Sequence, residues 1–375
     1  MFENIIVIGV THHNTLGTIR SIGESDSGIF CTLILYGEKD SFLSQSIYVN
    51  KIHYIDSSDE ITSLLLSMKK ETKQIIVTVT DEAAYQLDKN MELLVPYFYY
   101  YKCVNSGQLT HYMNKYVQDE IAVEAGLYVP LNYNPNNIQF PCILKPIKSI
   151  GGGKKLIICN NNKDYIDIVN QYNNIEFQIQ QYIEKEQEIV LSGVSINGEV
   201  YIPAYILKHR EVLGGTTYSS VYPISSLNDD LVTKSKELVK SIGYEGLFGI
   251  EYMLCNGKYY FVEINLRNDA TCYSVAKAGV NTQLAYIYAK LGKEYLPLLT
   301  NYIHKINSMV EFRDFNFVLN KQVGLIKWIN QRNNCECLYF CNKNDRKPYL
   351  INRKLLMNSI KKTIINKLSK CIKKK

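Results

Sequence analysis

LFGIEYMLCNGKYYFVEINLR, residues 247–267, is the stretch from which the rest of the chain is read. Two strand-like runs flank Asn256-Gly257; one carries Glu251 and the other runs into Glu263-Ile264-Asn265-Leu266-Arg267. Carboxylates in otherwise apolar strands need a partner, because burying an unpaired charge is costly. Two carboxylates and an amide oxygen make an all-oxygen donor set suited to magnesium, and through it to nucleotide phosphates. Hairpin register decides whether the three share a face, since side chains alternate with period two. A two-residue Asn-Gly loop would pair Glu251 with Val262 and send Glu263 to the other face. A three-residue loop, Cys255-Asn256-Gly257 with Gly257 left-handed as a bulge, puts Glu251, Glu263 and Asn265 on one side, and this loop is the one expected. The competing reading is a half-exposed hairpin whose acids face water, as antiparallel strands often allow.

Composition sets the frame around this hairpin. A chain of 375 residues with 46% hydrophobic and 21% charged residues is an ordinary globular sequence with room for two or three cores. No run approaches the length of a membrane-spanning helix, and MFENIIVIGV lacks the basic start and cleavage site of a secretion signal, so a cytoplasmic protein is expected. The ten cysteines are scattered, several within apolar runs, as reduced thiols would be. Cys335, Cys337 and Cys341 do cluster, but without a zinc spacing, and a strand is expected there. Charge is uneven: Arg353 to Lys375 holds nine Lys/Arg and no acid, which leaves the other 352 residues at net −3. In that tail Ile360, Ile364, Leu368 and Ile372 recur at spacing four, giving an apolar stripe on a Lys-rich helix. It suits an anionic membrane surface or a protein partner, or simply a solvated, frayed terminal helix. No stretch interleaves basic and aromatic residues as a nucleic-acid surface does, so no nucleic-acid partner is expected.

Residues 1–112 alternate strand and helix signals. Asn4–Val10, Phe30–Tyr36 and Gln74–Thr80 are β-rich, and Ile61–Lys70 is compatible with a helix, which predicts a small α/β domain with a parallel sheet. His12-His13-Asn14 follow the lone Gly9, so the dinucleotide fingerprint is missing. The turn after the first strand still offers Asn14 and Arg20 as polar ligand candidates. A helix carrying Lys115 then ends near Gly126, and YVPLNYNPNN links it to the strand FPCILKP, the glycine loop SIGGGKK and the strand LIIC. Adjacent glycines between strands let backbone amides approach phosphate, with Lys145 and Lys154 adding charge; the same pattern also fits a plain flexible hairpin. Strands at Phe177–Ile183 and Glu188–Ile196, an Asn197-Gly198 hairpin into Val200–Leu207, and the polar segment HREVLGGTTYSS follow. A helix is expected over about Asp229–Ile242, a long one over Tyr273–Leu291, and further strand-like runs beyond Pro297.

In chain order these are a helix lysine, a strand lysine, a glycine loop, an apolar connecting strand, a following glutamate and a carboxylate hairpin ending E-I-N-x-R. Over Asn114–Val280 the order resembles the ATP-grasp ligases, and within them the subgroup similar to carbamoyl-phosphate synthase large subunits and D-aspartate ligases. The resemblance implies an α/β fold of α+β ATP-grasp type: a Rossmann-like parallel-sheet domain over 1–112, then a two-part ATP-grasp domain with antiparallel sheets over 113–300. Its lid would span about 138–185, followed by an extension at 301–352 and the basic tail at 353–375. It further implies that Lys115 and Lys145 hold nucleotide phosphates and that Gly151, Gly152 and Gly153 close over them. By the same likeness Gln181, Tyr182 and Ile183 meet adenine, Glu188 the ribose, and Glu251, Glu263 and Asn265 the Mg2+ or Mn2+ ion that carries ATP. Arg267 would lie near the acyl-phosphate, with Lys208 and Arg210 as further γ-phosphate contacts. Gln181 stands where relatives often have Glu, and Leu266 where they often have Pro; neither change removes a metal ligand.

What the resemblance implies chemically is an ATP-dependent carbon–nitrogen ligase: a small carboxylate takes the γ-phosphoryl group, and an amine on an amino acid or amino sugar captures the acyl-phosphate. Ammonia, a thiol or bicarbonate are alternative co-substrates, and a non-catalytic ATP-binding scaffold is the alternative from outside enzymes. A monomer or homodimer is expected, in the cytoplasm, with the tail as a candidate peripheral membrane contact.

Overall fold

The computed structural model describes residues 3–26, 28–37, 42–147, 157–172, 175–212 and 215–358. Five parallel strands come first: β1 (Glu3–Gly9), β2 (Ile29–Tyr36), β3 (Val49–Ile55), β4 (Gln74–Thr78) and β5 (Phe98–Tyr99), in the spatial order β3-β2-β1-β4-β5. The apolar runs at β1, β2 and β4 are buried, as strands covered on both faces must be. The strand order reverses between β1 and β4, and open sheets of this type bind ligands outside the carboxyl ends at such a point. Thr80 caps the helix Asp81–Lys89 by accepting from the Ala83 amide, which holds Asp81 at that edge.

Two antiparallel units follow, so the expected α/β class with a parallel sheet and then a two-part antiparallel region is the fold observed. The small sheet has β6 (Cys142–Pro146) in the middle, between β7 (Ile157–Cys159) and β8 (Phe177–Gln181). The large sheet contains β9 (Gln187–Ile196), β10 (Glu199–Val212), β11 (Gly215–Pro223), β12 (Gly246–Cys255), β13 (Lys258–Asn265), β14 (Ile306–Met309) and β15 (Cys337–Leu338). Its spatial order is β13-β12-β9-β10-β11-β14-β15. Asn197 and Gly198 both have positive φ, 53° and 82°, and make the expected tight turn between β9 and β10.

The polar segment after Lys208 is sheet, with β10 continuing to Val212 and pairing with β11. Two expectations need correction. The helix over Tyr273–Leu291 is two helices, Cys272–Ala278 and Thr282–Lys290. Gly279 ends the first with φ 123°, where a Cβ would sit 2.6 Å from the Tyr302 carbonyl oxygen, and the Asn281 side chain caps the second at the Leu284 amide. Beyond Pro297 the chain is mostly short helices, with only β14 and β15 as strands among the described residues.

One apolar core runs continuously from the parallel sheet into the large sheet. Arg20, offered by the sequence as a ligand candidate, is instead fully buried: its Nε bonds Asp345 Oδ2 at 2.9 Å, and its Nη2 bonds the Asp345 carbonyl at 2.8 Å. It ties the first helix, His13–Gly23, to the C-terminal segment and is not open to a ligand.

Candidate functional site

The site is organised on the β12–β13 hairpin. Asn256 and Gly257 have φ 49° and 73°, and Cys255 pairs with Lys258, so the turn has two residues, not the three expected. The register nonetheless shifts by one between Glu251 and Tyr252, because Val262 is an extra residue on β13. Glu251 therefore lies opposite Glu263, with Asn265 on the same face as Glu263. The relationship expected of the turn is produced by a bulge inside the strand.

The helix Lys115–Glu124 fixes this hairpin from the side. Gln118, almost fully buried, donates from Nε2 to the Ile264 carbonyl at 3.0 Å and accepts from the Ile264 amide at 3.1 Å. Ile264 lies between Glu263 and Asn265, so this two-way bond sets helix against strand where the acids stand. One turn earlier, Lys115 Nζ reaches Glu263 Oε2 at 2.8 Å. The Lys115 ammonium holds the Glu263 carboxyl down at about 2, and the lysine is raised in return.

Lys208, with a side chain only 3% exposed, stands among three carboxylates. Its Nζ bonds Glu188, Glu251 Oε2 at 2.8 Å and Glu211 Oε1 at 3.2 Å, while Lys185 bonds Glu188 and lies 2.9 Å from Glu211 Oε2. Burial works against charge on Lys208, but Glu251, Glu188 and Glu211 outweigh it and keep the ammonium charged. Burial also pushes Glu251 up, opposed by Lys208 and reinforced by Glu263. Glu188 meets the same burial cost, which Lys208 and Lys185 reverse, leaving it at about 2.

A second buried polar group lies beneath the small sheet. Lys145 Nζ bonds Gln180 Oε1 at 2.5 Å, and Asp119 Oδ2 accepts from Asn132, Gln178 and Gln180 at 2.9, 2.7 and 2.9 Å. Burial, with Lys115 nearby, pulls the Lys145 ammonium down to about 8. Gln181 faces the other way and accepts from the Leu131 amide at 3.3 Å; Tyr182 and Ile183 leave the ladder after it. Arg267 closes the arrangement toward the parallel sheet. Its Nε bonds Asp81 Oδ1 at 2.6 Å, at the edge where the strand order reverses, and its Nη2 bonds Asn265 Oδ1 at 3.0 Å.

The structure thus brings Lys115, Lys208, Glu188, Glu251, Glu263, Asn265 and Arg267 into one linked network. Arg210 does not join it: it makes a bidentate pair with buried Asp314 at 2.9 and 2.7 Å, bonds Gln331 and stacks on Tyr218. A strand without irregularity would put Arg210 on the Lys208 face, but a bulge between them turns it away and brings Glu211 to Lys208 instead. His209 bonds Ser220 and is likewise outside the cluster. Gly151, Gly152, Gly153 and Lys154 lie outside the described residues, as does the tail from 359 onward. Asn14 is buried against Asn268, its Oδ1 accepting at 2.8 Å.

Sequence reasoning missed Gln118, Asp81, Asp119 and Gln180. The signal for Gln118 was its place three residues after Lys115 on a helix begun by the Asn114 cap. It also missed Arg313, half-buried beside the turn after β1, with Nη1 3.1 Å from His12 Nε2 and Nη2 donating to the Val212 carbonyl. Burial lowers the Arg313 guanidinium from its ordinary value.

Among the described residues no three His, Cys, Asp or Glu side chains are gathered as a metal centre. The donors at the hairpin are two acids and one amide, a set whose hard oxygens fit magnesium and whose remaining coordination would fall to phosphate and water.

Residues 113–271 match the ATP-grasp domain family. Among curated proteins the chain is 29% identical over 177 residues to the carbamoyl phosphate synthase large chain of Pseudothermotoga lettingae, covering 44% of this chain and 16% of that one. It is 26% identical over 153 residues to the same protein of Lachnoclostridium phytofermentans, covering 38% and 14%. The chain therefore spans only a small part of these relatives' length. Among solved structures it is similar to an ADP complex of N5-carboxyaminoimidazole ribonucleotide synthetase, with TM-score 0.66, 15% identity and 86% of each chain covered. The L-amino acid ligase from Bacillus licheniformis gives TM-score 0.62 at 14% identity, covering 81% of this chain and 79% of that one.

Proposed function

From the match of residues 113–271 to the ATP-grasp domain family, we propose that the protein is an ATP-dependent carboxylate–amine ligase acting through an acyl-phosphate. The observation that carries the reading is Glu251 opposite Glu263, with Asn265, Lys115, Lys208 and Arg267 bonded around the pair. A scaffold that only held nucleotide would have little use for so many charged groups directed at one place.

In this reading Glu251, Glu263 and Asn265 hold Mg2+, which when bound neutralises phosphoryl oxygens. Lys115 and Lys145 bind the phosphates, and Glu188 with the 181–183 segment binds the nucleoside. A carboxylate oxygen of the first substrate attacks the γ-phosphorus and ADP leaves. Arg267, held by Asp81 beside the reversal point of the parallel sheet, stabilises the negative charge that moves onto the acyl-phosphate. An amine then attacks the acyl carbon, inorganic phosphate leaves, and an amide remains. The amine belongs to an amino acid or amino sugar.

A second reading replaces the organic carboxylate with bicarbonate, favoured by the similarity to the biotin carboxylase domain of Hydrogenobacter thermophilus 2-oxoglutarate carboxylase, whose structure holds MgADP and bicarbonate. The deciding experiment is ADP release with Mg2+ across panels of carboxylates and amines, with mass detection of product. Release that needs an organic acid and an amine supports the ligase. Release that needs bicarbonate supports the second reading, and tight nucleotide binding without dependent turnover refutes both.

A further inference from the structure

Positive charge in this chain is concentrated at its C-terminal end. Residues 315–375 carry fifteen Lys and Arg against two acids, Glu336 and Asp345, and leave residues 1–314 at net −7. Asp345 is itself buried against Arg20, so it does not offset the charge presented to solvent. Within this segment a helix over 347–358 is seated on the body by Tyr349 and Ile351, the Tyr349 ring 5.5 Å from that of Phe312. Its outer side is unlike a solvated helix face. Leu350, Leu355 and Met357 are 54%, 47% and 48% exposed, and Arg346, Lys347, Arg353 and Lys354 are exposed around them. Leu350, Lys354 and Met357 stand at positions i, i+4 and i+7 and share one face. In the sequence the spacing continues directly after this helix as Ile360, Ile364, Leu368 and Ile372, interspersed with seven lysines and no acid.

We propose that the helix over 347–358 is a docking surface for an anionic lipid bilayer. Aliphatic side chains and lysines are what an interfacial helix uses: the first enter the acyl boundary, and the second lay their methylenes along it while their ammonium groups meet lipid phosphates. Residues 350–375 hold no aromatic residue and a single arginine, Arg353, whereas protein and nucleic-acid interfaces draw on aromatic and arginine anchors. The −7 charge of the rest of the chain is repelled by the same lipid, which would orient the molecule with its basic end toward the membrane. This surface is independent of the ligase reading, since none of its residues belongs to the nucleotide cluster.

The test is flotation of the full-length protein with vesicles of phosphatidylcholine alone and of phosphatidylcholine mixed with phosphatidylglycerol, at rising salt. The expected result is binding to the mixed vesicles only, weakening as salt increases. R353E/K354E lowers partitioning by at least about tenfold, as loss of attraction from two basic groups requires. L350D/M357D lowers it similarly, and both variants bind MgADP as the parent does. Absence of vesicle binding, equal binding to neutral vesicles, or full binding by both variants overturns the proposal. So does dimerisation abolished by these substitutions, or uptake of duplex DNA, where neither is accompanied by lipid binding.

Discussion

Glu251 lies directly opposite Glu263, and Val262 is the residue that makes it so. From the turn as far as Tyr252–Phe261, the two strands pair in the register of a two-residue Asn256-Gly257 hairpin, which would carry Glu263 to the other face. One unpaired residue shifts the register just before the acids. Exchanging the two residues, V262E/E263V, moves the carboxylate to the unpaired position and is therefore expected to abolish Mg2+-dependent nucleotide binding, measured by calorimetry with MgADP, while circular dichroism still reports a folded protein. V262A keeps the order of residues and should bind nearly as the parent does. Deleting Val262 leaves Glu263 directly after Phe261 and so still opposite Glu251, and binding should survive it. Intact binding by V262E/E263V, or loss of binding on deletion, would separate the register from the site.

Gln118 serves the same geometry from the helix side. Replacing it with Ala leaves the Ile264 amide and carbonyl buried without their partner, at a cost of about 1–3 kcal/mol. Urea unfolding should register that loss. Nucleotide affinity should fall further than in a surface variant of matched stability, because the Lys115–Glu263 pair loses its alignment. Q118E, which retains an acceptor but loses the donor, should recover only part of both effects.

Lys145 gives the site a pH dependence. Its ammonium is pulled down to about 8 by burial and by Lys115, so the charged form that attracts phosphate is lost as pH rises through that value. MgADP affinity should decline above about pH 8, and K145M should be weak throughout with a flatter profile. Stability moves in the opposite direction. Between about 8 and the ordinary lysine value the unfolded chain binds the extra proton, so this residue's contribution to folding free energy increases with pH across that interval. A K145M profile parallel to the parent's would assign the decline to another group.

The sequence made the hairpin conspicuous because acids in apolar strands demand an explanation, and the helix and strand lysines could be placed by their order along the chain. Local irregularities were invisible to it. Val262 is an ordinary strand residue, and nothing in its type announces that it is unpaired. The bulge after Lys208 is equally silent, which is why the resemblance set Arg210 beside Lys208 and left Glu211 out. Arg20 was misread for a different reason: its partner Asp345 is 325 residues away, and pairing across such a separation leaves no local pattern. Gly279 did carry a warning, since a glycine two residues before an Asn cap is a plain signal to end one helix and begin another.

Arg210 is, on this geometry, a structural residue, and its substitution should distinguish stability from nucleotide binding. Its guanidinium grips both oxygens of Asp314, which is fully buried and is otherwise bonded by Thr217 and the Trp328 ring nitrogen. Removing one member of a buried ion pair costs about 3–5 kcal/mol, because the remaining charge stays desolvated without its counter-ion. R210A should therefore show a clearly lowered unfolding temperature, with MgADP affinity unchanged below that transition. R210K retains the charge but loses the bidentate geometry and the stacking on Tyr218, so it should recover only a fraction of the stability. The paired variant R210M/D314L removes both charges and should be more stable than R210A, since no buried carboxylate is then left alone. If R210A instead kept its unfolding temperature and lost nucleotide affinity, Arg210 would belong with the phosphate-binding groups after all.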